Sequence, residues 1–145
     1  MLSDVIVRFA GPDDLASIKL VADEFRNELG FVFAAELLRG ISDRSVIVAE
    51  VGGKVLGFIY FRCRKDRVAV IYAIAVTKEW QRCGIGRKLV EEFERVASDR
   101  GCVMAKLKCP ASSLGANVFY RKIGYKFCGI VDGKKQKLFV WKKVL

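Results

Sequence analysis

Apolar spacing changes several times along the chain, and each change marks an element. Asp4 to Phe9 reads as a short strand. Gly11-Pro12-Asp13-Asp14 breaks it and offers a helix start, where carboxylates favour the N-terminal turn. Leu15, Ile18, Ala22, Phe25 and Leu29 recur at helical spacing, which predicts an amphipathic helix over 13–28 ended by Gly30. Phe33 to Arg39 reads as a shorter helix closed by Gly40. Three strand-like runs follow: Ser45 to Val51, Val55 to Cys63 after the Gly52-Gly53 hairpin signal, and Val68 to Val76 after a polar turn at 64–67. The last run is apolar on both faces, with Val68, Val70, Tyr72, Ile74 and Val76 on one and Ala69, Ile71, Ala73 and Ala75 on the other. Such a strand belongs in the middle of a sheet.

A polar connection from Thr77 to Gly86 leads into a helix carrying Leu89, Phe93 and Val96 on its apolar face and Gly101 past its end. Val103 to Cys109 is a strand halted by Pro110. Ser112 or Ser113 can cap a helix to Ile123, stopped by Gly124. Tyr125 to Val131 and Gln136 to Val144 are strands around the Asp132-Gly133 hairpin signal. The order β-α-α-β-β-β-α-β-α-β-β predicts an antiparallel meander from 45 to 76. A helix then crosses to a parallel strand at 103–109, giving a mixed sheet with helices on both faces.

Composition narrows the function. The chain has 145 residues, 52% hydrophobic and 29% charged, which fits one globular domain over 1–145. No apolar run reaches the ~20 residues of a membrane span. The N-terminal stretch lacks the charge and cleavage pattern of a signal peptide, so a cytoplasmic location is expected. There is no histidine, and the five cysteines form no Cys-x-x-Cys, which removes Ser-His and Cys-His nucleophile systems and argues against a zinc site. The cysteines read as reduced, mostly buried thiols. The net charge is +10. Residues 1–101 carry 16 Lys/Arg against 15 Asp/Glu, whereas 102–145 carry 10 against Asp132 alone. Such a basic segment either attracts anions or is a solvated lysine-rich strand face that also blunts a sheet edge.

The segment Trp80-Gln81-Arg82-Cys83-Gly84-Ile85-Gly86-Arg87-Lys88 leaves a central strand and enters a helix. Its glycines allow a tight turn and close ligand approach. The unpaired first amides of the helix and its dipole form an anion site, to which Arg82, Arg87 and Lys88 add charge. Together they suit a pyrophosphate. The segment is neither a Walker loop nor a dinucleotide fingerprint, since Leu89 stands where the latter needs its third glycine.

In this context the sequence resembles the GNAT acyltransferase family, whose loop pattern is [QR]-x-x-G-x-[GA]. Gln81, Gly84 and Gly86 match it. Ala73-Ile74-Ala75-Val76 looks like the family's fourth strand, and Phe119 to Tyr125 like its tyrosine helix running into the sixth strand. The resemblance, which covers essentially the whole chain, implies an α/β (α+β) fold with a mixed, mostly antiparallel sheet of about seven strands and about four helices. It implies acetyl-coenzyme A as cofactor and no metal. The pyrophosphate would sit on Arg82, Cys83, Gly84, Ile85, Gly86 and Arg87, with Gln81 beside it. The pantetheine arm would lie along Ile74, Ala75 and Val76, between fourth and fifth strands that splay apart. Tyr120 would protonate the departing thiolate, with Tyr125 only a packed aromatic.

Two departures stand out. Ser113 occupies the place of a cofactor-binding Asn, and Lys108 that of a Glu found in branches acetylating protein N-termini. Val68 to Val76 holds no carboxylate, so the general base is unassigned. Glu28 and Glu36 border the acceptor side but read as solvated charges. The implied reaction is acetyl transfer to a primary amine of a small molecule or peptide, by direct attack in a ternary complex, with the acceptor held between residues 27–40 and the 131–136 hairpin. A non-catalytic acyl-coenzyme A-binding module is the alternative. A nucleic-acid-binding domain, suggested by Lys134, Lys135, Lys137, Lys142 and Lys143, is disfavoured because strand alternation explains the pattern. No membrane partner is expected, and a homodimer is left open.

Overall fold

The computed structural model describes residues 4–30 and 32–145. Position 31, within the expected acceptor border, lies outside them. The described strands form one seven-stranded sheet in the order β1-β2-β3-β4-β5-β7-β6. β1 (Ile6–Phe9), β2 (Val46–Val51), β3 (Lys54–Cys63) and β4 (Val68–Val76) run antiparallel in sequence. β4 then pairs in parallel with β5 (Met104–Pro110), and β7 (Lys137–Val144) lies antiparallel between β5 and the edge strand β6 (Lys126–Asp132). The double-sided apolar strand is the fourth of seven, as its composition requires.

The predicted helix 13–28 is interrupted. A 3-10 turn at Pro12–Asp14 precedes α1 (Leu15–Glu24), and Phe25 leaves helical geometry at φ −120°, ψ 32° before α2 (Arg26–Leu29). α3 (Ala34–Ser42) continues through Gly40 instead of stopping there. The reason is packing: a Cβ on Gly40 would lie 2.9 Å from the Tyr60 ring and 3.0 Å from Val46. This glycine admits a strand beneath the helix and does not terminate it.

α4 (Ile85–Asp99) and α5 (Leu114–Lys122) complete the described helices. α4 lays Ile85, Leu89, Val90, Phe93, Val96 and Ala97 onto one sheet face, against Ile47, Phe61, Ile71, Leu107 and Trp141. On the other face α1 and α3 cover Val48, Phe58, Tyr60, Ala73 and Ala75 with Ile18, Val21, Leu37 and Ile41. Each fully buried large aliphatic side chain contributes about 2 kcal/mol relative to exposure. Both faces of β3 and β4 are thereby packed over most of their length, although Arg62 and Tyr72 stay exposed. No helix among the described residues is long and apolar enough to cross a membrane.

Candidate active site

The sheet opens at its centre. β4 and β5 pair only from Val68↔Met104 to Ile71↔Leu107, although β4 continues to Val76 and β5 to Pro110. Beyond that point the two strands share no registered pair, so each presents an unzipped backbone edge. The splay expected from the family resemblance is therefore present.

A bulge sets its geometry. Tyr60 pairs with Ala73 but Phe61 pairs with Ile71, so Tyr72 is an extra residue in β4. The bulge corrects the face assignment made from alternation. Ala69 and Ile71 face α4, but Ala73 and Ala75 face α1 and α3, while Ile74 and Val76 pack with the α4 cluster. Strict period two fails because one inserted residue exchanges the faces of everything after it.

The backbone edges follow. A Cβ on Gly57 of β3 would lie 2.8 Å from the Ala75 carbonyl, so Ala75 directs its peptide groups at β3. By alternation Ile74 and Val76 direct theirs into the opening. Gln81 Nε2 donates to the Val76 carbonyl at 3.0 Å. Of the three β4 positions expected to meet a cofactor arm, Ile74 and Val76 thus line the split and Ala75 does not. Gln81 braces the loop against the strand end.

The loop after β4 makes a 3-10 turn at Lys78–Trp80 and reaches α4 through two left-handed residues, Arg82 at φ 62° and Gly84 at φ 84°. Gly84 is the N-cap, and Lys88 N–H already closes on its carbonyl at 3.1 Å. Among the described residues, none of the amides from Arg82 through Arg87 finds a backbone or side-chain acceptor. Alternating left-handed geometry turns such amides toward a common concavity, an anion nest. Arg82 shares this sparsely populated state with Arg44 and Arg67 among the described non-glycine residues. Arg82 and Arg87 are exposed beside it and make no ion pair among the described residues. A doubly charged diphosphate matches these donors in sign. Cys83 is exposed in the same turn.

Tyr120 of α5 is buried against Phe119 and Tyr125, with ring centroids 5.3 and 5.9 Å away. Burial, then the neighbouring Cys109 thiol, raises its phenol well above the ordinary range. Cys109 lies on β5 just beyond the last β4 pair and is itself pushed up to about 11 by burial. Tyr120 is therefore a neutral O–H donor flanking the β5 arm of the split. Its hydroxyl has no hydrogen-bond partner among the described residues, yet no fully enclosed polar side-chain atom is left unpaired there. The hydroxyl accordingly borders accessible space. Tyr125 differs: its hydroxyl donates to Glu94 Oε2 at 2.9 Å, which fits a packed structural aromatic.

Ser113 is the N-cap of α5, but its hydroxyl makes no capping bond. A neighbouring residue was missed by sequence reasoning. Asn117 is buried, accepts from Trp141 Nε1 at 2.8 Å, and donates Nδ2 to the carbonyls of Pro110 and Ser113, both at 3.0 Å. It ties the end of β5 to α5 and β7. On the opposite face, the Tyr60 phenol is raised by burial and next by the Glu36 carboxylate beside it. The Tyr60 ring lies 5.6 Å from that of half-exposed Tyr72. Glu36 thus stands beside Tyr60, which pairs with Ala73 next to the bulge. Glu28 is exposed on α2.

Known proteins place this architecture. The acetyltransferase (GNAT) domain profile matches residues 42–127. An uncharacterized N-acetyltransferase of Methanocaldococcus jannaschii is 32% identical over 92 residues, which is 59% of this chain and 41% of that protein. The chain thus spans about two fifths of that relative's length. Among solved structures, Ard1 from Thermoplasma volcanium superposes with a TM-score of 0.89 at 21% identity, covering 98% of each chain. The PaiA N-acetyltransferase of Thermoplasma acidophilum in complex with coenzyme A gives 0.83 at 20% identity, over 97% of this chain and 99% of that one. The split sheet, the amide-lined loop and the profile match over more than half the sequence agree, and the chain belongs to the GNAT acetyltransferase family.

Proposed function

We propose that the protein transfers the acetyl group of acetyl-coenzyme A to a primary amine of a small molecule or peptide, by direct attack in a ternary complex. The observation that carries this reading is the convergence on one opening in the sheet of loop amides and a phenol that have no hydrogen-bond partner among the described residues. The amides from Arg82 through Arg87 hold the diphosphate, with the Arg82 and Arg87 side chains adding charge. Ile74 and Val76 offer strand-edge groups to the extended arm, as in strand addition. Ser113, with its hydroxyl unengaged, lies at the α5 end of the same opening. That a protein of this fold binds coenzyme A supports the assignment. When bound, acetyl-coenzyme A supplies an activated acetyl thioester.

The chain's own residues then have two tasks. Tyr120, kept protonated by burial, donates to the sulfur as it departs. The attacking amine must be neutral, although free amines hold their proton to a pKa of about 8 to 10.4. Glu36, beside Tyr60 next to the bulge, is a carboxylate on the acceptor face that can draw that proton away. On this reading residues 1–145 act as one domain in the cytoplasm.

The test combines thermal stability with a coenzyme A release assay over polyamines, aminoglycosides, amino acids and peptides. Acetyl-coenzyme A at 100 times its dissociation constant should add about 2.7 kcal/mol of stability. At least one amine class should release coenzyme A in step with acetylated product. No thermal shift at millimolar thioester would sink the proposal. Tight binding without turnover across the whole panel would leave an acyl-coenzyme A-binding module in its place.

A further inference from the structure

The helices covering the α1 side of the sheet reach only as far as β4, where their apolar cluster ends at Ala73 and Ala75. Beyond it, that face is made by side chains of β5, β7 and β6. Register aligns them. Lys126 of β6 opposes Lys142 of β7, Lys142 opposes Lys106 of β5, Lys106 opposes Val70 of β4, and Val70 opposes Arg62 of β3. Directly opposed strand residues share a face. Arg62, Lys106, Lys142 and Lys126 therefore stand in one row, about 19 Å long at ~4.8 Å per strand. Lys108 lies two residues further along β5, opposite Val140. Arg64, Tyr72, Lys106 and Lys108 surround a shallow cavity of about 230 Å³ beside the row.

Three observations separate this row from an ordinary lysine-rich surface. Among the described residues Arg62, Lys106, Lys108, Lys126 and Lys142 make no ion pair, and Arg64 alone has a carboxylate, Asp66 at 2.5 Å. Edge protection accounts for Lys126 but not for Lys106 and Lys142, which sit on interior strands. Directly opposed like charges are also destabilising. Lys106 shows the effect: burial, then Lys108, Lys142 and Arg64, hold its ammonium below the ordinary range. A polyanion would relieve this repulsion along the whole row.

We propose that this bare face binds the phosphate backbone of a single-stranded nucleic acid, with half-exposed Tyr72 stacking on a base. An acidic peptide would satisfy the cations but has no use for an exposed aromatic set among them. Cations over a sheet face with an aromatic platform are the usual means of gripping a single strand. The row crosses β4 and β5 one position before their pairing ends, so a bound strand passes the mouth of the split.

The experiment is fluorescence anisotropy of the full chain with a labelled oligouridylate of about twelve nucleotides, without any thioester. Binding is thus read apart from acetyl transfer, and either result stands without the other. Five phosphate contacts should give a log–log salt slope near −3.5, at ~0.7 per contact. Lys106→Gln, Lys126→Gln and Lys142→Gln combined should flatten that slope by about 2. Lys54→Gln, Lys78→Gln and Lys122→Gln combined, with the same loss of charge elsewhere, should leave it unchanged. Tyr72→Leu should weaken binding about tenfold at constant slope. Should the first triple variant fail to fold, Lys108→Gln with Lys126→Gln, both exposed positions, should flatten the slope by about 1.4. Equal losses in the row and control variants would overturn the proposal, as would no binding at about 50 mM salt. Displacement by a polyglutamate of equal charge at the same concentration would instead assign the face to acidic polypeptides and overturn it too.

Discussion

Asn117→Ala is the substitution whose cost the structure specifies best. Asn117 is 8% exposed. Its Oδ1 accepts the Trp141 indole N–H, and its Nδ2 donates to the Pro110 carbonyl. The Ser113 carbonyl keeps the Asn117 backbone N–H at 3.0 Å and is not orphaned by truncation. The Pro110 carbonyl likewise keeps the Ser113 backbone N–H at 3.0 Å, so one group, the Trp141 indole donor, is left without a partner, where no described side-chain atom is both enclosed and unpaired. At about 1–3 kcal/mol for an orphaned buried group, the expected loss is about 2 kcal/mol. With a urea m-value of about 2 kcal/mol/M, the unfolding midpoint should fall by about 1 M. Asn117→Asp separates this reasoning from simple volume loss. It keeps the acceptor for Trp141 but turns a carboxylate oxygen toward the Pro110 carbonyl, so it should cost at least as much at pH 7 and recover partly in acid. Because Pro110 ends the β5 arm of the split, both variants should also weaken acetyl-coenzyme A binding. A midpoint within 0.3 M of the parent in Asn117→Ala, about 0.6 kcal/mol, would refute the hydrogen-bond account.

The remaining predictions are narrower. Tyr120→Phe should slow transfer by about 10²-fold or more while leaving unfolding and thioester affinity nearly unchanged, since its hydroxyl has no hydrogen-bond partner among the described residues; steady-state kinetics beside urea melts decide it, and an unaltered kcat removes the proposed acid. Iodoacetamide should label the exposed Cys83 and Cys128, and saturating acetyl-coenzyme A should protect Cys83 alone. Cys109, its thiol pushed up to about 11 by burial, should stay unlabelled in the native protein; peptide mass mapping reads all three, and undiminished labelling of Cys83 contradicts the loop assignment. Arg8 bonds Asp14 at 2.8 Å and Glu50 at 2.6 Å, and the Arg8 hydrogen bond, opposed by burial and aided by the Gly11 amide, holds the Asp14 carboxyl below its usual range. A depressed carboxylate stabilises the fold above its unfolded pKa of about 3.9 and loses that contribution as pH falls below it. The stability gap between the parent and Arg8→Met should therefore be full at pH 6 and close toward pH 3, and a gap independent of pH in urea melts at both values would sink the assignment.

How far the sequence could be read depended on whether a feature was local. Helix and strand positions came from spacing, and the loop from glycines with cations at a strand-to-helix junction; both are properties of adjacent residues. Features set by register stayed hidden. Alternation located β4 but reversed half its faces, since a period of two carries no mark of the inserted Tyr72. Gly40 resembled a helix stop because the Tyr60 ring that demands its bare Cα comes from a distant strand. Asparagine is by propensity only a weak helix former, and nothing near Asn117 in the chain signals that Trp141 folds across to it. The lysines show the same limit most clearly. Alternation puts Lys106, Lys126 and Lys142 on one side of their own strands, which reads as solvation. Only the pairing of β5 with β7 and of β7 with β6 turns three separate alternations into one charged line. Local pattern therefore gives which residues share a face only where no bulge intervenes, whereas the split and the charged line depend on which residues stand opposite one another, and that is decided by where each turn and bulge sets the register.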